Sequence, residues 1–401
     1  MSKIDDLLAK MCPDGVEFKK LGEFALLSNT GVDKKLLPNE SEVSLLNYLD
    51  ICRNMKISGA HLSAITTASS KKIAECNLLK GDVFITPSSE TRDDLANAAE
   101  IIEDIPNAVY SYHILRIRLQ DLEQMNPTFI VHLFGSRFIQ EQIVTLSTGL
   151  TRYGLTKPKW ESLKFPTPPL EIQKEIVAIL DKFTELEAEL ESELEARKSE
   201  YSFFRDRLLS FDSDEAAGTL WKKLGDLATN LDSKRRPVTK SERTKGAIPY
   251  YGASGIVDYV EDFIFDGDYL LVSEDGANLL ARSTPIAFSV SGKVWINNHA
   301  HVLQFESYEQ RRLIEIYLNS IDLSPFVEGG AQPKLNQTNM NKILVPVPPE
   351  KHMIKIVKVL DLFENLIGDL SFGLPAEIKA RRQQYEYYRN TLLTFKELDV
   401  A

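Results

Sequence analysis

The chain is poor in cysteine: 401 residues carry only Cys12, Cys52 and Cys76, far apart and with no C-x-x-C pair. That pattern points away from a disulfide framework and fits reduced thiols in a cytoplasmic protein. No run of about 18 apolar residues occurs, so no membrane-spanning helix is expected. The N-terminus, MSKIDDLLAK, lacks the apolar stretch of a signal peptide. Positive charge is also in deficit, with a formal net charge of −11. The deficit is uneven: −2 over 1–165, −5 over 166–211, −4 over 212–345 and zero over 346–401. This balance argues against tight non-specific binding to nucleic acid. It does not exclude DNA, because basic clusters such as Lys234-Arg235-Arg236 remain.

Catalytic signatures are missing as well. Pro13-Asp14 followed by Glu17-Phe18-Lys19 imitates a PD…ExK nuclease, but two intervening residues are too few for metal-binding carboxylates on adjacent strands; a turn is expected. Asn126-Pro127-Thr128-Phe129 lacks the second proline of an amino-methyltransferase motif, with no Gly-rich methyl-donor loop upstream, and reads as a turn or helix start. Ser291-Gly292-Lys293 has alanine at 287 where a phosphate loop needs its first glycine. His299 and His301 would share one face of a strand and suit a metal, but no third ligand is evident, so a structural pair is expected. His113, at a similar place in the first half, has no second histidine.

What the chain does have is duplication. PPLEIQKEIVAILDKF (168–183) returns as PPEKHMIKIVKVLDLF (348–363) with seven of sixteen positions identical. EARKSEYSFFRDRLLSF (195–211) returns as KARRQQYEYYRNTLLTF (379–395) with seven of seventeen. A repeat of this length means two duplicated modules rather than a solenoid. The 43% hydrophobic content supports sizeable cores.

The repeated segments read as long helices. Ile176, Leu180, Phe183, Leu190, Leu194, Tyr201, Phe204 and Leu208 recur at mostly alternating four- and three-residue steps, as do Ile356, Leu360, Phe363, Ile367, Leu370, Tyr385, Tyr388 and Leu392. That is the seam of a coiled coil. Glu187 and Arg197 interrupt the first seam. The second copy is longer by four residues, about one helical turn, which preserves the apolar face and implies that both helices use it. Gly373 and Pro375 should interrupt the second helix. The runs Pro166, Pro168, Pro169 and Pro346, Pro348, Pro349 cannot be helix interior and mark each junction.

The segments before the helices read as mixed α/β heads. Strand-like runs occur at 82–86, 112–119, 268–273, 293–297 and 301–305. Lys80-Gly81-Asp82 and Asp266-Gly267-Asp268 are the turn signals before matching strands. Phe18-Lys19-Lys20-Leu21-Gly22 recurs as Trp221-Lys222-Lys223-Leu224-Gly225 and opens each head. From there to the shared Gly-Asp the first head is 17 residues longer, so the frame is common and the loops differ.

The two helix blocks and their second copies resemble the conserved regions of specificity subunits of type I restriction–modification systems. CPDGVEFKKLGE (12–23), IPYYGASGIVDY (248–259) and NNHAHVL (297–303) are similar to members of that family too. The resemblance implies an α+β protein with a pseudo-twofold internal repeat. It would have a first target-recognition domain at 1–165, a first conserved helical region at 166–211, a second target-recognition domain at 212–345 and a second helical region at 346–401. The two long helices would pair as an antiparallel coiled coil. The implied partners are double-stranded DNA with a bipartite site, two modification (methyltransferase) subunits, and restriction subunits that carry endonuclease and translocase activity. S-adenosylmethionine, ATP and Mg are implied for those partner subunits, and no cofactor, metal or catalytic residue for this chain.

Two half-sites read from one face of B-DNA lie about one turn, roughly 34 Å, apart. A rigid antiparallel helix pair would fix that spacing. Base reading needs side chains in the major groove, with phosphate contacts setting register. Suitable residues in the first head are Lys71, Lys72, Arg92, Arg152 and Tyr153, with Gly149 allowing close approach of the backbone. In the second they are Lys234, Arg235, Arg236, Lys245, Tyr250, Tyr251, Arg282, Gln332, Lys334 and Asn336, with Gly329 in the place of Gly149. Tyr250 and Tyr251 suit a core equally well. Two other functions stay open: a coiled-coil adaptor that binds proteins without sequence-specific DNA recognition, and a self-sufficient nuclease or methyltransferase.

Overall fold

The computed structural model describes residues 3–92, 94–211, 217–330, 332–368 and 373–398. It divides into two compact units, Met1–Glu191 with Glu377–Ala401, and Ser192–Ala376. Among the described residues no helix is long and apolar enough to cross a membrane.

The first unit is built on a five-stranded sheet. Its order is Ala25–Ser28, Leu115–Leu119, Asp82–Ile85, Ala98–Ile101, Lys56–Ile57, antiparallel except for the last pair. Asp82–Ile85 is buried on both faces, as the apolar run Val83–Ile85 requires, with Asp82 paired to Arg118 at 2.6 Å. One face packs on the helices Pro127–Phe134 and Arg137–Leu146 through Val83, Ile117, Phe129 and Phe134. The other packs on a three-stranded sheet (Ser41–Leu46, Ala64–Ala68, Ala108–Tyr110) through Phe84, Leu46 and Tyr110.

The second unit repeats the plan. Its six strands run Thr229–Asn230, Ala300–Gln304, Phe265–Ser273, Ala287–Ile296, Lys245–Gly252, Gly255–Val260. The fourth and fifth again pair in parallel, and the other neighbours are antiparallel. The helix Tyr308–Ser320 covers one face through Ile314 and Leu318. Asp266-Gly267-Asp268, expected as a turn, lies inside the long central strand. Gly267 (φ +150°) sits opposite Gly292 (φ +78°), and the ladder keeps its register through both. The first head keeps the turn at Gly81, whose φ is +86°.

Each head closes on itself. Phe18–Lys20 pairs with Lys164–Pro166, and Leu220–Lys223 with Leu344–Val347. The Leu21 amide then donates to Leu163 O at 2.9 Å and the Leu224 amide to Ile343 O at 2.8 Å. The stalk helices begin immediately after the proline runs, at Leu170 and Glu350. The first stalk helix is continuous from Leu170 to Leu208, rich in strong helix formers and laced with pairs such as Arg197 to Glu193, 2.7 Å. The second copy is split into Glu350–Gly368 and Leu374–Leu392, with Pro375 in the first turn of the latter, where its missing N–H is harmless.

In the first unit the first stalk helix runs antiparallel to Leu374–Leu392. Phe183 stacks on Tyr388 with centroids 5.1 Å apart, while Glu187 and Glu191, further along, meet Arg382, which lies earlier in its helix. The seam interruption at Glu187 is thus an ion pair. Ile176 and Leu180 are fully buried in the same core as Phe129, Leu133 and Leu393, so the head helix shares the seam. In the second unit, Tyr201 and Phe204 meet Phe363, and Leu208 joins Ile356, Leu360 and Leu313 in one cluster, again antiparallel. Leu190, Leu194 and Ile367 are half-buried, and Leu370 lies outside the described residues.

Candidate nucleic-acid interface

Each head carries a tight loop at an equivalent place. Thr148 and Gly154 close the first with two backbone hydrogen bonds of 3.1 Å, and Tyr153–Gly154 pairs with Ser88–Ser89 just past the central strand. Glu328 and Lys334 close the second with bonds of 2.8 and 2.7 Å, and Lys334 bridges Asp275, also just past the central strand. Both corners demand glycine. A Cβ on Gly149 (φ +142°) would lie 1.9 Å from Arg152 O, and one on Gly329 (φ +86°) 2.5 Å from Gln332 O.

The first loop presents Leu150, 94% exposed, at its tip. Arg152 Nε donates to Ser88 Oγ at 3.0 Å, and the Arg92 guanidinium sits 4.9 Å from the Tyr153 ring centroid. Arg92, Gly149, Arg152 and Tyr153 therefore form one cluster. Lys71 and Lys72 stand apart on the short helix Ser70–Glu75, each near Glu75 at 3.8 and 4.0 Å, and Lys72 Nζ also donates to Thr30 O.

The second loop is held by charge. Glu274 takes Lys334 Nζ at 3.0 Å and Arg235 Nη1 at 2.6 Å. Asn336 Oδ1 caps the helix Gln337–Met340, accepting from the Asn339 amide at 2.9 Å, while its Nδ2 donates to Glu328 Oε2 at 3.1 Å. Gln332 is exposed beside them. His301 Nδ1 lies 2.6 Å from Asp232 Oδ2, and Nε2 lies 2.7 Å from Leu335 O. Ligand atoms of Asp232, Glu274 and His301 fall within 4.8 Å of one another, a metal-like cluster in geometry. Burial pushes both carboxyls up, but His301 on Asp232, and Arg235 and Lys334 on Glu274, outweigh it and hold both below the ordinary range. The two carboxylates are already balanced by two cations, so the cluster is an ionic lock for the loop. His299 does not share the face of His301; it sits in the preceding turn, its Nδ1 2.8 Å from Asp275.

The remaining candidates scatter. Lys234, Arg236 and Lys245 are exposed, and the Arg236 carbonyl accepts from Trp295 Nε1 at 2.7 Å. Tyr250 is a core residue, 1% exposed, its hydroxyl accepting from the Val238 amide at 3.1 Å. Tyr251 is half-buried against Phe288. Arg282, in the left-handed region at φ +54°, donates to the carbonyls of Leu318 and Ile321 at the end of Tyr308–Ser320, and its burial lowers its pKa. Pro13-Asp14 forms a turn, Asn126 caps Pro127–Phe134, and Ser291-Gly292-Lys293 lies within a strand.

Ser88, Glu274 and Glu328, which brace the loops, were not singled out from the sequence. Ser88 and Glu274 sit at the same distance past the duplicated Gly-Asp, a signal the repeat itself contains.

These features, a duplicated frame with divergent loops on antiparallel stalks, define a protein of two repeated α/β heads on paired helices. The model of the type I restriction modification DNA specificity domain matches residues 13–196 and 220–380, and the chain belongs to that family. A Haemophilus influenzae chain provisionally described as a type I restriction enzyme specificity subunit is 37% identical over 189 residues, 46% of this chain and 49% of that one. The EcoR124I/EcoR124II specificity subunit of Escherichia coli is 32% identical over 253 residues, 57% of this chain and 61% of its own length. This chain thus spans about half to three fifths of these two relatives. Among solved structures, the S subunit of a type I system from M. genitalium superposes with a TM-score of 0.56 at 15% identity, over 94% of this chain and 96% of that one. A chain from a study of type I R-M complex assembly gives 0.61 at 17%, covering 95% and 98%. At such identities the likeness establishes the fold.

Proposed function

We propose that the chain is the non-catalytic DNA-reading subunit of a type I restriction–modification complex. Each head reads one half of a bipartite site, and the stalk helices set the spacing and dock two methyltransferase subunits, with restriction subunits joining that assembly. Methyl transfer, translocation and cleavage, with S-adenosylmethionine, ATP and Mg, belong to those partners. The observation that carries this reading is the pair of equivalent glycine-cornered loops, equal in frame and unequal in side chains. Arg152 with Arg92 and Tyr153 in one head, and Lys334 with Gln332 and Asn336 in the other, are the residue types that contact bases and phosphates. Two identical loops would suit two identical targets; two different loops suit an asymmetric site. An adaptor binding only proteins has no use for that difference.

The test is methylome sequencing of a host carrying this chain with its partner subunits. A bipartite methylated motif is the expected result. Methylation without a bipartite motif, or by the chain alone, would refute the proposal.

A further inference from the structure

One cavity of the first unit plays no part in the recognition loops. It is an open cleft of about 510 Å3 beside the end of the helix Tyr48–Arg53, the helices Pro127–Phe134 and Arg137–Leu146, and the stalk helix Leu374–Leu392. Its polar lining is Arg53, Asn54, Asn97, Gln140, Tyr385 and Arg389; the rest is apolar side chains, glycine and Cys52. Among the described residues no carboxylate lines it, although the chain has 58 acidic residues against 47 Lys and Arg.

Arg389 is fixed in the wall. Its guanidinium lies 5.1 Å from the Tyr385 ring centroid and packs on Gly135, where a Cβ would come 2.9 Å from Nη1. Its Nε is buried with no acceptor among the described residues, so the two terminal nitrogens of the fork are the ones left to meet a ligand. Arg53 is exposed at the rim and makes no hydrogen bond or ion pair among the described residues. Its neighbour Asp50 accepts from the Asn47 amide at 2.9 Å and attracts Arg53 only through space. The amide groups of Asn54 and Gln140 donate to backbone carbonyls, to Asp50 O and to Leu95 and Phe134 O, so the donors left for a ligand are those of the arginines, one of Arg389's being shared with the Tyr385 hydroxyl. In the second unit Arg205 over Tyr201 repeats the arginine–tyrosine pair, but there Asp361, Glu364 and Glu315 surround Arg312, a setting for a cation rather than an anion.

We propose that this cavity binds a phosphate-bearing anion, held by Arg389 in the wall and Arg53 at the rim. A guanidinium fork matches phosphate oxygens in pairs. The phosphate comes either from a free small ligand or from a DNA backbone.

The probe is inorganic pyrophosphate, titrated into the full chain and followed by thermal shift. Saturable stabilisation is expected, with the half-saturation point moved about tenfold or more in Arg53→Gln and in Arg389→Gln. Arg53 is on the surface, so its variant keeps the test valid should Arg389→Gln fail to fold. A parallel arm adds a DNA duplex of unrelated sequence. Displacement of pyrophosphate that depends on Arg53 assigns the phosphate to a DNA backbone; retention of pyrophosphate assigns it to a small ligand. Absence of stabilisation, or equal stabilisation in Arg53→Gln and the unaltered chain, overturns the site.

Discussion

His132 Nδ1 and the Tyr385 hydroxyl lie 3.0 Å apart, although 253 positions separate them in the chain. The contact ties the first head to the stalk helix that closes its unit. His132 Nε2 faces Asp181 Oδ1 at 3.2 Å, and Lys56 reaches the other carboxylate oxygen at 2.7 Å. In the second copy Asp361, the repeat of Asp181, accepts from Arg312 Nε at 2.7 Å, and Tyr201, the repeat of Tyr385, donates to Glu364 at 2.5 Å. A titratable imidazole in one unit thus takes the place of a permanent cation in the other.

That asymmetry predicts, in the first unit, a pH dependence from His132 that Arg312 does not bring to the second. Burial, the dominant influence, pushes the His132 imidazole below its ordinary value of about 6.5, against the raising effect of Asp181. With Arg389 and Lys56 also disfavouring a charge there, the unfolded chain binds the proton more readily than the folded one. Stability is therefore full above about pH 6.5 and falls as the pH drops below it. The fall in thermal midpoint from pH about 7.5 to about 5.5 should shrink in His132→Gln. An unchanged fall would remove His132 as the cause.

Seam residues should differ sharply in weight. Leu360 is fully buried, so Leu360→Ala should cost about 2–5 kcal/mol of unfolding free energy. Leu360→Asp with Phe363→Asp should abolish helix packing in the second unit and assembly with partner subunits on a sizing column. Arg382→Ala, which removes only half-exposed ion pairs, should cost less than about 1 kcal/mol. Denaturant melts rank the variants, and equal costs would contradict the packing.

The loop glycines offer a matched comparison. Gly149→Ala and Gly329→Ala each drive a Cβ into a backbone oxygen and should distort their loop, at about 1–3 kcal/mol. A Cβ on Gly330 meets nothing within 4 Å, and Gly330→Ala should be tolerated. Under the proposed function, Gly149→Ala weakens reading of one half-site only, measured by methylation of sites mutated in either half.

Under the proposed function, exchange of residues 212–345 for the matching segment of a relative should change one half of the methylated motif and spare the other. Adding four residues to the exposed middle of the stalk pair, about 6 Å of helix, should lengthen the gap between the halves without altering their bases. A motif changed in both halves, or an unmoved gap, would contradict the modular scheme.

How far the sequence disclosed this can be read from particular residues. The repeat, the seam and the junction prolines were legible because periodicity and proline stereochemistry act locally. Periodicity says that a face is buried but not by what, so Ile176 and Leu180 looked like partners of a helix and are also partners of a head. The strand Lys245–Gly252 was hidden by its proline and glycines, and Tyr250 within it looked as much a base contact as a core residue. The basic cluster at 234–236 could not reveal that Arg235 is committed to Glu274, 39 positions on. Asp266-Gly267-Asp268 carried a turn signature because nothing local announces that Gly292 lies opposite.

The pairing of entry and exit strands in each head has an evolutionary consequence. Phe18–Lys20 against Lys164–Pro166, and Leu220–Lys223 against Leu344–Val347, bring the two borders of a head side by side. Two crossovers in the gene at those borders would lift out an entire head as a cassette and drop in a foreign one, its ends already in register; under the proposed function a lineage would gain a new target in one recombination event rather than by gradual drift.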